Sequence, residues 1–142
     1  MLDVKTDWML ADKIWEVQMP KHIAIVDDDS DGVKATKTRL EAAGYRVSST
    51  CGSGSTQDLI RFQPDLVLLD VSMPELDGFA ILREIKRNAD LATIPVIIFS
   101  GKPKETIIDL FGPEGISGYI SKPYEPAELL RTIQSALNSS QN

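Results

Sequence analysis

The sequence has little of what would indicate disulfides, a membrane anchor or a nucleic-acid surface. Cys51 is the only cysteine among 142 residues, which excludes an internal disulfide and suits a reducing cytoplasm. No apolar run approaches the roughly 20 residues of a membrane-spanning helix, and the acidic start lacks the basic region of a signal peptide. The formal charge of −6 argues against nucleic acid, whose binding needs clustered Lys and Arg. We therefore expect a soluble, cytoplasmic protein that binds neither nucleic acid nor membranes.

Length and composition favour one compact domain. A chain of 142 residues matches the usual size of a single domain, about 100 to 150 residues. Hydrophobic residues make up 42% and charged residues 25%, which is enough apolar material for a packed core without metals or disulfides. A regular alternation of apolar runs begins at Lys21. We therefore expect an N-terminal extension over residues 1–20 and a folded domain over residues 21–140.

The N-terminal extension has an amphipathic pattern of its own. Trp8, Ala11, Ile14, Trp15 and Val17 recur at helical spacing before Pro20. One interpretation is a helix that packs on its own domain. The other is a contact with a partner or a second copy, because exposed Trp is costly and is enriched at interfaces.

Five short apolar runs alternate with amphipathic stretches from Lys21 onward. They are residues 22–26, 45–49, 66–69, 96–99 and 118–121. The third and fourth runs are continuously apolar, as is typical of strands buried on both faces of a parallel sheet. Parallel neighbours require crossover helices, so the pattern predicts one doubly wound α/β domain of the (βα)₅ type.

The helix boundaries can be predicted from caps and breakers. Ser30 is a candidate cap for the first helix, and Gly44 is its expected stop. Pro126 suits the first turn of the last helix. The second helix is expected to be short, and Gly112 and Pro113 should interrupt the fourth.

Polar residues follow the predicted strands at their carboxyl ends, where the loops of an open α/β sheet line the ligand crevice. In chain order they are Asp27, Asp28 and Asp29 after the first strand, Asp70 at the end of the third, Ser100 at the end of the fourth and Lys122 at the end of the fifth. Converging carboxylates repel one another unless a cation lies between them. Their hard oxygen atoms favour Mg²⁺ or a similar ion.

This set of residues suits phosphoryl transfer. Asp70 can act as a carboxylate nucleophile and form an aspartyl phosphate. Lys122 and Ser100 would then contact the phosphoryl oxygens, where negative charge accumulates. The sequence therefore predicts a Mg²⁺-dependent phosphoryl acceptor.

In combination, these motifs resemble the receiver domains of two-component response regulators, the CheY-like family. The resemblance covers about residues 21–138. The segments that carry it are 25–29 (IVDDD), 65–74 (DLVLLDVSMP), 77–78 (DG), 95–101 (PVIIFSG) and 119–123 (YISKP). It implies a flavodoxin-like fold with a five-stranded parallel sheet in the order 2-1-3-4-5.

The resemblance also implies a role for each site residue. Asp70 would be the phosphoacceptor and a metal ligand. Asp27 and Asp28 would hold Mg²⁺, or Mn²⁺ in its place, directly or through water. Ser72 would lend its backbone carbonyl to the metal.

The remaining implied roles concern the phosphoryl oxygens and the switch. Lys122 would contact the phosphoryl group, and Ser100 would be the hydroxyl that moves toward it. Tyr119 would be the aromatic residue that swings inward behind Ser100, and Pro123 would follow a cis peptide bond. Lys102, two residues beyond Ser100, is a further candidate for contact with the phosphoryl site.

The implied function is phosphorylation-dependent signalling. A histidine kinase or a histidine phosphotransfer protein would donate the phosphoryl group, and the domain would catalyse its own modification, so we do not expect an enzyme with a separate substrate. No effector domain follows Asn138, so we expect a single-domain regulator, monomeric or weakly dimeric, that acts on an unknown downstream protein. An adaptor, a phosphorelay intermediate and a receiver excised from a larger protein all remain open.

Two other functions fit parts of the sequence. A pseudo-receiver would bind partners without phosphorylation, although such modules commonly lack one of the residues retained here. A phosphatase of the haloacid dehalogenase type also uses an aspartyl phosphate. Its second aspartate is absent, because Ser72 stands two residues after Asp70.

Overall fold

A five-stranded parallel sheet forms the centre of the structure, a computed structural model that describes residues 20–71 and 78–140. The strands are β1 (His22–Val26), β2 (Arg46–Thr50), β3 (Leu66–Asp70), β4 (Val96–Ser100) and β5 (Gly118–Ser121). Their order in the sheet is β2-β1-β3-β4-β5, with every pairing parallel. This confirms the predicted fold. The second strand begins one residue later than expected.

Five helices connect or follow the strands. They are α1 (Ser30–Ala42), α2 (Ser55–Phe62), α3 (Gly78–Arg87), α4 (Lys104–Phe111) and α5 (Pro126–Ser140). Short 3₁₀ turns cover Gly52–Gly54 and Gly112–Glu114. No helix within the described ranges is both long enough and apolar enough to cross a bilayer.

The central strands are buried on both faces, as the continuous apolar runs predicted. Every residue of β1, β3 and β4 is buried. Because alternate side chains point to opposite faces, they divide between two cores. One core packs against α2, α3 and α4, and the other packs against α1 and α5.

The start of α1 differs from the prediction by one residue. Asp29 holds the N-cap position with extended backbone angles, and Ser30 is the first helical residue. The Asp29 carbonyl accepts the Val33 N–H at 2.9 Å, but no side-chain cap bond forms. The Asp29 N–H donates to the Asp27 carboxylate instead, which fixes the turn before Ser30. Gly44, at φ 97°, lies just past the end of α1, as predicted.

The two short helices were also anticipated. Helices α2 and α4 have eight residues each. Gly112 and Pro113 convert the end of α4 into a 3₁₀ turn, because Pro113 has no N–H to continue the helical ladder. The proposed amphipathic helix within residues 1–19 and the Ser72 carbonyl lie outside the described residues.

Candidate functional site

Backbone ladders bring the predicted site residues to one edge of the sheet. Asp70 is the last residue of β3, and its neighbour strands β1 and β4 end beside it. The Asp27 N–H donates to the Thr50 carbonyl at 3.1 Å and prolongs the pairing of β1 with β2. The Lys122 N–H donates to the Ser100 carbonyl at 2.8 Å, which prolongs the pairing of β4 with β5. Four side chains therefore converge from four adjacent strands.

Two of the carboxylates are buried and share one ammonium. Asp27 is 8% exposed and Asp70 is 3% exposed. Lys122 Nζ donates to Asp27 Oδ2 at 3.3 Å and also forms an ion pair with Asp70 Oδ2. The Asp29 N–H donates to the other Asp27 oxygen at 2.9 Å. Within the described part of the chain, these contacts set two buried carboxylates against the ammonium of Lys122, so the formal charges of the three groups sum to −1.

The pKa values of Asp27 and Lys122 reflect their burial first, and their hydrogen bonds and mutual charges after it. Burial raises the pKa of Asp27 above its ordinary value, and the nearby charge of Asp70 adds to the rise. The Asp29 N–H and the Lys122 charge offset it only in part. Burial alone would lower the pKa of Lys122, but the hydrogen bond to Asp70 and the charges of both carboxylates bring it above its ordinary value. A cation beside Asp27 would therefore relieve a real electrostatic cost.

The cluster is open to ligands on two sides. A cleft of about 310 Å³ between α1 and the loop after β5 reaches Asp27 and Lys122. A second cleft, of about 410 Å³, lies between α1 and the end of β2 and reaches Asp27 and Asp28. Asp28 is exposed, in contrast to the buried Asp27. Its carboxylate is therefore placed at the mouth of the site.

The donor set fits a magnesium ion. Within the two described ranges, no three His, Cys, Asp or Glu side chains gather into a metal-binding cluster. Mg²⁺ does not require one, because it keeps several waters and usually binds through one or two carboxylates plus phosphate oxygens. Asp27 and Asp70 supply two such carboxylates with a net negative charge. Asp28 and Ser72 remain predicted contributors.

The residues of the predicted switch are linked through the backbone of Lys102. Ser100 is fully buried, and its Oγ accepts the Lys102 N–H at 3.0 Å. The Tyr119 hydroxyl donates to the Lys102 carbonyl at 2.6 Å. The Lys102 residue itself is exposed. One residue thus connects the hydroxyl at the end of β4 with the aromatic residue on β5.

The peptide bond between Lys122 and Pro123 is cis, as the family resemblance implied. Of the predicted site residues, the structure brings Asp27, Asp70, Ser100 and Lys122 together at one edge of the sheet.

Sequence reasoning missed three residues that border the site. The Lys122 ammonium lies 4.8 Å from the centre of the Phe99 ring. The Tyr124 ring packs on Phe99, and the Tyr124 hydroxyl lies 2.9 Å from Thr36 Oγ1. One signal was available for Thr36, because it lies four residues before Leu40 on the buried face of α1. The contacts of Phe99 and Tyr124 had no sequence signal, since those residues look like ordinary core aromatics.

Comparison with known proteins identifies the family. The response regulator receiver domain matches residues 23–134, and the chain belongs to this family. One curated relative is a protein of Cyanidium caldarium named "Probable transcriptional regulator ycf27", which is 39% identical over 119 residues. That alignment covers 82% of this chain and 46% of the relative. The chain spans about half the length of the curated relatives it matches.

Solved structures agree. A CheY-like response regulator receiver domain protein from Methanospirillum hungatei is 28% identical with a TM-score of 0.76, covering 87% of this chain and 98% of its own. The receiver domain of the sensor histidine kinase PA1611 from Pseudomonas aeruginosa is 25% identical with a TM-score of 0.74. The match covers 84% of this chain and 99% of that domain, which holds a magnesium ion in its active-site cleft. The chain is therefore a receiver domain of two-component signalling.

Proposed function

We propose that this receiver domain accepts a phosphoryl group on Asp70 from a histidine kinase or a histidine phosphotransfer protein, with Mg²⁺ as cofactor. The observation that carries the proposal is the buried pair of Asp27 and Asp70 with Lys122 bonded to both. The pair has an excess of negative charge and opens into a cleft, as a site for a cation and a phosphoryl group should. Asp65, just before the other end of β3, instead accepts the backbone N–H of His22 at 2.7 Å.

The transfer is a displacement at phosphorus. An Asp70 carboxylate oxygen forms a bond to the phosphorus atom, while the bond from phosphorus to the donor's imidazole nitrogen breaks and the imidazole recovers a proton. Asp27 and Asp28 would hold Mg²⁺, which neutralises charge on the phosphoryl oxygens when it is bound. Lys122 would exchange its bond with Asp70 for one with a phosphoryl oxygen and stabilise the charge that develops there.

The same geometry supports a switch. Ser100 Oγ now accepts the Lys102 N–H, and the Tyr119 hydroxyl bonds to the Lys102 carbonyl. If Ser100 turns toward the phosphoryl group, it releases Lys102, and Tyr119 is freed to move inward. Phosphorylation would thereby alter β5 and the adjacent face of α4, where Ile108 and Leu110 are about half exposed. A downstream protein would read this change.

The acceptor is tested first by intact-mass spectrometry after incubation with acetyl phosphate, with and without Mg²⁺. We expect one Mg²⁺-dependent phosphoryl adduct in the wild type and none in Asp70→Asn. Asp65→Asn is the matched control, because it makes the same substitution at the other end of the same strand and should keep the adduct. A wild type without an adduct, also after incubation with a panel of histidine kinases, would contradict the proposal and favour a pseudo-receiver.

The switch has its own test by NMR. Activation should change the amide shifts of β5 and α4 together with the ring signals of Tyr119. Unchanged shifts at both places would count against a switch built on Ser100 and Tyr119. A Ser100→Ala variant should still form the adduct on Asp70 but lose the change at Tyr119.

The partner class requires separate experiments. Phosphoryl passage from Asp70 to a histidine protein would support a relay role, whereas capture of a protein that depends on Asp70 phosphorylation would support an adaptor. Single-domain action and a monomeric or weakly dimeric state belong to the same proposal. Sedimentation of the wild type with and without phosphorylation tests the oligomeric state.

A further inference from the structure

Three side chains beside the charged cluster form a connected group that we call the aromatic brace: Phe99, Tyr124 and Thr36. The Phe99 ring faces Lys122, with the ammonium 4.8 Å from the ring centre. The Tyr124 ring meets Phe99 edge to face, at 5.2 Å and 71°. The Tyr124 hydroxyl pairs with Thr36 Oγ1 at 2.9 Å. The aromatic brace therefore connects the Lys122 ammonium to α1 through three successive contacts.

The aromatic brace joins three parts of the fold. Thr36 belongs to α1, Phe99 to β4 and Tyr124 to the loop between β5 and α5. Phe99 and Thr36 are both 6% exposed, so packing fixes their positions. On the outer side, the Arg39 guanidinium lies 5.9 Å from the centre of the Tyr124 ring and covers it. The loop that carries Lys122 is thus tied to α1 through Tyr124.

Lys122 needs such a support. Its side chain is 27% exposed, and its long, flexible stem loses rotamer entropy when the ammonium is fixed in one place. Asp70 and Asp27 attract the ammonium, but both of these contacts must change when a metal ion and a phosphoryl group arrive. The face of the Phe99 ring also attracts a cation, and it takes no part in those exchanges. Phe99 is therefore the contact that can keep the ammonium at the site throughout.

We propose that the aromatic brace positions the Lys122 ammonium for phosphoryl transfer, with Phe99 as the direct contact and Tyr124 and Thr36 as the support that fixes Phe99 relative to α1. This inference rests on the proposed function and adds three positioning residues to it. The competing view is that the three residues only fill the core between α1 and α5.

A second aromatic pair separates these two views. Phe79 and Phe111 meet at 5.8 Å and 54° in the core on the other side of the sheet. Phe111 is 5% exposed, almost the same as Phe99. Phe99→Met and Phe111→Met therefore each remove one buried aromatic ring from a pair and keep a flexible apolar side chain. Phe99→Met alone removes a ring that faces Lys122.

The first measurement is the initial rate of adduct formation with acetyl phosphate and saturating Mg²⁺. We expect Phe99→Met to slow the reaction about 5-fold, the factor that corresponds to roughly 1 kcal/mol of cation–π attraction. Phe111→Met should react within about 2-fold of the wild-type rate, because a core substitution without contact to the site has little effect on the chemistry there. Equal rates for the two variants would overturn the proposal.

A double-mutant cycle tests the support. Thr36→Val and Tyr124→Phe each remove one hydroxyl of the same pair, so each should slow the reaction by about 2- to 5-fold, as the loss of one hydrogen bond implies. The double variant should be no slower than the slower single variant, because the second hydroxyl has already lost its partner. Effects that multiply would show that the two hydroxyls act separately and would remove them from the aromatic brace.

A spectroscopic measurement does not depend on phosphorylation. Protons held over an aromatic face are shifted upfield, so the Lys122 ε-methylene signal should lie upfield of the other lysines and be identified by its loss in Lys122→Arg. Phe99→Met should return it to the ordinary lysine position, and Phe111→Met should leave it in place. A wild-type signal at the ordinary position would overturn the inference by itself. If the wild type forms no adduct, the proposed function fails, and the NMR result still decides whether the aromatic brace holds Lys122.

Discussion

The two ends of the sheet differ in how they treat buried polar groups. At the carboxyl end, Asp27 and Asp70 share the ammonium of Lys122, and the formal charges of these three described groups sum to −1. At the amino end, His22 is 7% exposed, and both its ring and its backbone N–H have partners within the protein. Nε2 of its ring lies 2.7 Å from Ser48 Oγ, and its backbone N–H donates to Asp65 Oδ2 at 2.7 Å.

This difference separates the candidate functional site from a structural contact. Both ends bury polar groups at strand termini, so burial alone does not distinguish a site from a structural contact. Charge balance does, because two buried carboxylates that share one ammonium have perturbed pKa values, and such groups are typical of functional sites. At the amino end the buried His22 is paired within the protein, whereas the carboxyl end carries the negative charge that the proposed Mg²⁺ would neutralise.

The largest effect is expected from loss of the ammonium at the carboxyl end. Lys122→Gln removes the charge that would stabilise the phosphoryl oxygens, and it should slow adduct formation by about 100-fold or more. Initial rates with acetyl phosphate measure the effect. Lys21→Gln, an exposed lysine at the amino end, is the control and should react at the wild-type rate. Similar rates for the two variants would exclude Lys122 from the chemistry.

Mg²⁺ should raise the free energy of unfolding of the domain by binding at the carboxyl end of the sheet. At 100 times its dissociation constant, a ligand that binds only the folded state adds about 2.7 kcal/mol to the free energy of unfolding. Urea unfolding with and without Mg²⁺ should show this gain in the wild type and in Asp65→Asn. Asp27→Asn should lose most of it, because one of the two buried carboxylates is gone. An undiminished gain in Asp27→Asn would place the metal elsewhere.

At the amino end, Asp65→Ala should affect stability rather than chemistry. Its carboxylate accepts the buried His22 N–H at 2.7 Å, and a hydrogen bond to a charged group contributes about 1.5–3 kcal/mol. Urea unfolding should show a loss within that range. The rate of adduct formation on Asp70 should be unchanged in the same variant. A large rate effect would show that the two ends are coupled.

The smallest effect is a pH dependence at the amino end. Burial and the Arg46 charge lower the pKa of His22 below its ordinary value of 6.5, while Asp65 and the Phe62 carbonyl partly oppose the shift. The folded state therefore binds a proton at His22 less readily than the unfolded state does. The contribution of His22 to the free energy of unfolding is consequently complete above pH 6.5 and decreases as the pH falls below that value. Unfolding free energies measured below and above pH 6.5 should show a shallower slope for His22→Gln than for wild type. Identical slopes would remove His22 as the cause.

Much of the fold was predictable because hydrophobic periodicity is local. The continuous apolar runs before Asp70 and Ser100 identified the buried central strands, and Gly112 with Pro113 identified the interruption of α4. The start of α1 was predicted one residue too late, because Ser30 was expected at the N-cap position that Asp29 occupies. A side-chain contact accompanies this difference. The Asp29 N–H bonds to the Asp27 carboxylate, and such competition between side chain and backbone is not visible as a sequence pattern.

The candidate site was predictable in its members but not in its connections. Residues that end parallel strands must meet at one edge, so Asp27, Asp70, Ser100 and Lys122 could be grouped from their positions. Their pairing could not. Lys122 bonds to Asp70, 52 residues away, and to Asp27, 95 residues away.

The sequence alone was enough for the strands and for the set of charged residues at the carboxyl end of the sheet, because these follow from local patterns and from the rule that parallel strands end together. The family and its strand order came from the resemblance of the motifs to receiver domains. Only the tertiary structure decided that Lys122 serves both carboxylates, that Lys102 links Ser100 to Tyr119, and that Thr36 meets Tyr124 across 88 residues of chain. Those contacts depend on the rotamers and packing of side chains from different elements, and the packing exists only once the sheet and its helices have assembled.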